Sequence, residues 1–241
     1  MTATPRDLPP TTDSTATPIG TTATPADAPP KPLLRGWSHG FAAGFAIALA
    51  WELWQRSGSG PRALSVAVFG IAMIWLYAVS ATYHLVDWTP EQERRIQSLD
   101  HASIYVLIAG TYTPLCVNLL AGRERLLMLA AVWGCAIAGG LLSINTARGS
   151  SAMRAALYLG MGWIGIAAMP TLIGTMEAGA FATLIAGGLL YSIGAVVYAT
   201  ERPDPVPHVF GYHEVFHLLV ISGSAAFVLL VWIWVLPLTR A

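Results

Sequence analysis

The stretch YHEVFHLLVISGSAAFVLLVWIWVL, Tyr212 to Leu236, holds one charged side chain, Glu214, in 25 residues and contains no proline. As a helix rising 1.5 Å per residue it reaches beyond the roughly 30 Å of a bilayer's hydrocarbon. It predicts a membrane span, and six further apolar runs precede it, at about 37 to 55, 64 to 86, 100 to 120, 125 to 146, 154 to 175 and 179 to 199. Short polar breaks separate them. The expected fold is all-α: a polytopic membrane protein built as a seven-transmembrane helix bundle, because lipid leaves no other way to satisfy the backbone of such segments.

Composition agrees. Of 241 residues 55% are hydrophobic and 11% charged, against about 25% charged in an ordinary soluble domain, which excludes a water-facing globule. With 13 basic and 13 acidic residues the net charge is zero, which argues against nucleic acid as a partner. Cys116 and Cys135 lie in apolar runs without C-x-x-C spacing and read as small buried hydrophobes. Residues 1–35 are dominated by Thr, Pro, Ala and Asp and read as a disordered tail ahead of a single domain at 36–241, since they lack the apolar surface needed to offset ordering. Pro114 and Pro170 are expected to kink spans three and five. The Gly-rich stretches 139–140, 160–165 and 187–188 suit close helix approach.

Seven spans put the termini on opposite sides. With the N-terminus inside, that side gathers Arg6, Lys31, Arg35, Arg94, Arg95, Arg148, Arg154 and Arg202, eight residues; the other gathers Arg56, Arg62, Arg123, Arg125 and Arg240, five. The bias predicts a cell (plasma) membrane protein with a cytoplasmic N-terminus and the C-terminus outside.

Ionisable groups at span ends are functional candidates because lipid makes them costly. His213 and His217, spaced i and i+4, share one helix face and so could offer two metal ligands, or hydrogen-bond headgroups as interfacial histidines. An alternating path brings the end of span two, with His84, and the start of span three, with Asp100, to the same face. Ser80 lies one turn deeper than His84. Thr89-Pro90-Glu91-Gln92 reads as a capped helix start, which places Asp100 about 15 Å along that helix; its alternative is a wet interfacial carboxylate paired with Arg94 or Arg95. Three neutral imidazoles and one open position match a catalytic zinc site. In that arrangement His84, His213 and His217 are ligands, Asp100 is the water-positioning base, and Ser80 donates to a ligand, water or oxyanion. Glu214 is expected to face the membrane interface.

Three stretches carry a family resemblance: Ser80-Ala-Thr-Tyr-His84, Leu99-Asp100-His101 through Ile108-Ala-Gly-Thr-Tyr-Thr-Pro114, and Phe210-Gly-Tyr-His-Glu-Val-Phe-His217. In this order and spacing the chain resembles the hemolysin III proteins, which belong with the progestin and adipoQ receptors and are distantly similar to alkaline ceramidases. Ser38-His39-Gly40 also looks like the family's first-span start, without the acidic and Asn positions expected just before it. The resemblance implies seven helices with the N-terminus inside, zinc on His84, His213 and His217, and Asp100 contacting it through water. It also implies a role in membrane-lipid homeostasis and membrane lipids as partners. Three functions follow as expectations: a zinc-dependent hydrolase of lipid amide or ester bonds, a non-enzymatic lipid sensor with structural zinc, and a cytolytic channel former. A water-filled pore would need a polar stripe along the spans, which they lack.

Overall fold

The computed structural model describes residues 32–145 and 149–237. Eight α-helices follow one another: α1 Trp37–Arg56, α2 Pro61–Leu85, α3 Pro90–Leu119, α4 Gly122–Asn145, α5 Ser151–Gly162, α6 Met169–Thr175, α7 Ala178–Thr200 and α8 Tyr212–Leu230. A 3₁₀ turn at Ile164–Ala168 joins α5 to α6, and a π-helical turn at Val231–Val235 extends α8. Among the described residues there is no strand, only an isolated bridge between Val206 and Phe210. The protein is a polytopic all-α membrane protein. Among the described residues six segments are long and apolar enough to cross a bilayer, α5 to α6 counting as one. The seventh, α1, has the length at 20 residues but carries Glu52 and Arg56 in its last turn and a half.

The helices form a closed circuit. α2 packs along α1 and α3, α3 along α4 and α5, α5 along α7, and α7 along α8, which returns to α1. The largest core cluster runs through Phe69, Met73 and Leu76 of α2 to Phe216, Val220 and Phe227 of α8. Outer faces carry Phe41, Phe45, Ile71, Leu126, Ile137 and Ile193, all exposed, as expected when the solvent is lipid. Cys116 is buried, as expected, whereas Cys135 is exposed: it lies on the outer side of α4, where apolar character marks lipid contact rather than burial.

Local sequence explains the helix ends that matter here. Thr89 caps α3: its Oγ1 accepts from Gln92 N–H at 3.4 Å and Gln92 Oε1 accepts from Thr89 N–H at 3.1 Å, the reciprocal capping box, with Pro90 at the first helical position. α3 then runs unbroken through Pro114. The fifth span does break, but upstream of Pro170, which sits in the first turn of α6 where its missing N–H costs no helical bond. Tyr112 bridges the gap instead: its hydroxyl donates to Gly162 C=O at 2.5 Å and accepts from Gly165 N–H at 2.8 Å. Each of the three Gly-rich stretches has one glycine at a close approach. A Cβ at Gly139 would lie 2.4 Å from the Tyr105 ring, one at Gly165 2.9 Å from the Tyr112 hydroxyl and one at Gly187 2.8 Å from Phe227, while Gly160, Gly162 and Gly188 face open space.

The chain ahead of α1 is also fixed. Leu33 and Leu34 donate backbone hydrogen bonds to His208 and Val209 of the α7–α8 connection, both at 3.1 Å. Residues 32–35 of the segment expected to be disordered are thus an ordered turn; residues 1–31 lie outside the described residues.

Candidate metal centre

The end of α2 and the starts of α3 and α8 converge on one face. His84 stands in the last turn of α2, His213 and His217 in the first two turns of α8, and Asp100 in the third turn of α3. One donor atom from each of the three histidines lies within 4.8 Å of the other two. The Nε2 atoms of His84 and His213 are 3.2 Å apart. The ring centroids are 4.8 Å apart for His84 and His213, 4.5 Å for His213 and His217, and 5.2 Å for His84 and His217.

A metal fits these residues on two grounds. Two nitrogens bound tetrahedrally at 2.0–2.1 Å to one zinc ion stand about 3.3 Å apart, close to the observed Nε2 to Nε2 distance. His217 Nδ1 is buried without a hydrogen-bond partner, a costly state for a polar atom at membrane depth.

Asp100 and Ser80 stand beside the cluster. Both are buried, and Ser80 lies close enough to Asp100 to act on its carboxylate. Asp100 is therefore not the wet carboxylate paired with Arg94 or Arg95. Arg95 instead pairs with Glu91 at 2.6 Å on the exposed first turns of α3. Ser80, Asp100, His213 and His217 line a cavity enclosing about 1570 Å³, its open side included, that continues between α3, α5, α7 and α8. Its walls are mainly apolar, among them Ile104, Leu107, Leu115, Leu172 and Val220, and they include Trp163 and Ile166, which are also exposed on the outer surface.

Two features near the cluster go beyond what the sequence motifs assign. Glu214 is not at the interface; at 1% exposure it is among the most buried side chains of the protein. Its Oε2 accepts from Gly211 N–H at 2.6 Å and its Oε1 takes an ion pair from Arg35. The run His213-Glu214-Val215-Phe216-His217 has the H-E-x-x-H form in which a glutamate serves zinc proteases as base. Here both carboxylate oxygens are committed elsewhere, and Asp100 of α3 is the acid beside the histidines. A Gly-x-x-Glu start of a helix is the available signal, since a glutamate at the third helical position reaches back to the N-cap amide. Second, His39 of α1 lies flat against His217, ring centroids 3.7 Å apart at 11°. Gly36 permits that approach. Its φ of 86° belongs to glycine, and a Cβ there would meet His84 Cβ at 2.6 Å.

A closed circuit of membrane-spanning helices with a largely buried three-histidine cluster beside an apolar cavity defines an integral membrane protein whose ionisable groups are concentrated at one helix-end face. The chain belongs to the haemolysin-III related family, whose sequence profile matches residues 28–228. It is 35% identical over 183 residues to Hemolysin-3 of Bacillus cereus, covering 76% of this chain and 80% of the relative. It is 33% identical over 169 residues to the Hemolysin-3 homolog of Bacillus subtilis (strain 168), covering 70% and 76%. Similarity extends to Heptahelical transmembrane protein 4 of Arabidopsis thaliana, 34% identical over 179 residues, covering 66% of this chain and 45% of the relative.

Proposed function

We propose that the protein is a zinc-dependent hydrolase of lipid amide or ester bonds, acting at the cytoplasmic face of the plasma membrane in membrane-lipid homeostasis. The observation that carries the reading is the placement of three histidines within 4.8 Å of one another, two of which, His213 and His217, line an apolar cavity together with Asp100 and Ser80. Three protein ligands leave a coordination position free, the mark of a catalytic rather than a structural zinc. That favours hydrolysis over the lipid-sensor reading. When bound at His84, His213 and His217, zinc would supply a Lewis acid and bring the pKa of a water toward 7.

The chain's own groups then divide the work. The apolar cavity takes the acyl chain, which enters sideways from the bilayer near Trp163 and Ile166. An Asp100 carboxylate oxygen accepts a proton from the attacking water as its oxygen bonds to the acyl carbon. Asp100 returns that proton to the departing nitrogen or oxygen as the carbon–heteroatom bond breaks. The products are a fatty acid and an amine or alcohol. Ser80, next to Asp100, positions the carboxylate by donating its hydroxyl to it as the proton moves. The orientation rests on the eight to five excess of basic residues on the N-terminal side.

The name Hemolysin-3 belongs to the Bacillus cereus relative. A cavity walled mainly by aliphatic side chains suits an acyl chain better than a path for ions. Incubation of purified protein with a lipid panel tests the reading: zinc-dependent release of fatty acid is expected, with loss in His217→Ala. No zinc-dependent product, or full turnover by that variant, would overturn it.

A further inference from the structure

We propose that His39 is a ligand-binding residue of the cavity, hydrogen-bonding the polar end of an occupying lipid through its ring nitrogens. It thereby selects ligands whose polar end carries both a donor and an acceptor. The inference rests on the lipid-hydrolase reading for the ligand's class, but not for the role of His39.

His39 is 3% exposed and lies in the first turn of α1. By hydrogen-bond geometry neither Nδ1 nor Nε2 has a partner, although the His217 backbone carbonyl lies near enough to act on the ring. A neutral imidazole carries one N–H donor and one acceptor nitrogen, so two opposite hydrogen-bonding needs go unmet within the protein. Buried polar groups are paired in the great majority of cases, and an unpaired one points to a functional role. His39 lines the same cavity as Ser80, Asp100, His213 and His217, so a group entering the cavity can meet those needs.

Neither metal ligation nor packing accounts for His39. It is not a fourth metal ligand. The histidine ring lying 3.7 Å away at 11° is itself one of the cluster's donors, and an imidazole binds a metal through a lone pair in its own ring plane. Two rings stacked in nearly parallel planes do not direct their in-plane lone pairs at one point. Packing alone does not require a histidine either. Stacking against His217 and the Tyr77 ring, 5.1 Å away, is open to any aromatic residue, and phenylalanine would do it without burying two unpaired nitrogens.

The position suits recognition. His39 touches a proposed ligand histidine and borders the cavity that holds Asp100, so a polar group on its ring edge lies next to the proposed reaction centre, with the acyl tail running toward Leu115 and Leu172. A secondary amide offers both N–H and C=O to the ring. An ester offers acceptors alone, and a hydrocarbon neither.

The test uses full-length, zinc-loaded protein in detergent and three probes with one tail: oleoyl ethanolamide, methyl oleate and 1-octadecene. Binding is measured by equilibrium dialysis in protein carrying Asp100→Asn, which leaves the probes intact, with His39 as in wild type or with His39→Phe or His39→Gln added, and with the zinc content of each. His39→Phe keeps the stacked ring and removes both nitrogens. We expect it to retain zinc, to bind oleoyl ethanolamide at least about tenfold more weakly, and to bind 1-octadecene as wild type does. Methyl oleate should lose less than the amide, and His39→Gln, which keeps a donor and an acceptor, should recover part of the loss. Wild-type affinity of His39→Phe for oleoyl ethanolamide, or equal weakening toward 1-octadecene, would overturn the inference. If the phenylalanine variant does not hold zinc, His39→Met against His39→Gln gives the same comparison with a side chain able to fit irregular space. Wild-type protein that binds the amide probe through His39 yet releases no fatty acid would overturn the hydrolase reading and leave this inference standing.

Discussion

Arg35, in the turn ahead of α1, is ion-paired with Glu214, which follows the candidate ligand His213 on α8. The pair is largely inside the protein, Arg35 at 18% and Glu214 at 1% side-chain exposure. Together with the backbone bonds from Leu33 and Leu34 it ties the entry of the chain to the helix that presents two of the three histidines.

Removing one partner strands a buried charge, which costs about 3–5 kcal/mol, whereas removing both costs far less. Arg35→Met is therefore expected to lower thermal stability in detergent sharply, and Arg35→Met with Glu214→Gln to recover much of the loss, since glutamine still accepts from Gly211 N–H. Equal destabilisation in the single and double variants would show that the pair is not energetically coupled.

Gly36, the N-cap of α1, lies directly against His84. Gly36→Ala puts a Cβ 2.6 Å from His84 Cβ at a left-handed φ, combining backbone strain of about 1–2 kcal/mol with an overpacking cost of about 1–3 kcal/mol. The expected outcome is a displaced His84 and weaker metal retention in competition with a chelator. Retention equal to wild type would mean that the α1 approach does not govern the geometry of His84.

Much of the fold and of the cluster is legible in local patterns, for physical reasons that differ from residue to residue. The α3 start can be read from Thr89-Pro90-Glu91-Gln92 because a capping box is a contact within four residues. The i, i+4 spacing of His213 and His217 assigns them one face of any helix, and alternation of spans brings His84 and Asp100 to the same end. Glu214 is buried rather than interfacial because its partner, Arg35, is 179 positions away, and no local rule reports such a contact. His39 escapes assignment for the same reason, since its stacking on His217 depends on how α1 closes the circuit against α8. The break expected at Pro170 belongs to the residues before it, because Tyr112 of α3 satisfies the broken turn.

Cys135 and Cys116 test the packing independently of any chemistry. Cys135 faces outward on α4, while Cys116 is 2% exposed inside the bundle. N-phenylmaleimide in mild detergent should label Cys135 well before Cys116, read by mass spectrometry of Cys135→Ser and Cys116→Ser variants. Faster labelling of Cys116 would contradict the arrangement of α3 and α4.

Asp100→Asn keeps the size and hydrogen-bonding reach of the side chain but removes the base. Zinc content is expected to match wild type while lipid hydrolysis falls by at least about a hundredfold, the usual contribution of a positioned general base. Unchanged turnover would remove Asp100 from the chemistry, and loss of zinc together with turnover would assign it to metal binding instead.

Metal analysis of the purified protein reaches the central claim most directly. Wild-type protein should carry one zinc per chain, and His84→Ala and His213→Ala should each lose most of it while remaining folded in detergent. Full metal retention in both variants, or a folded wild type that binds no zinc when it is supplied, would contradict the account.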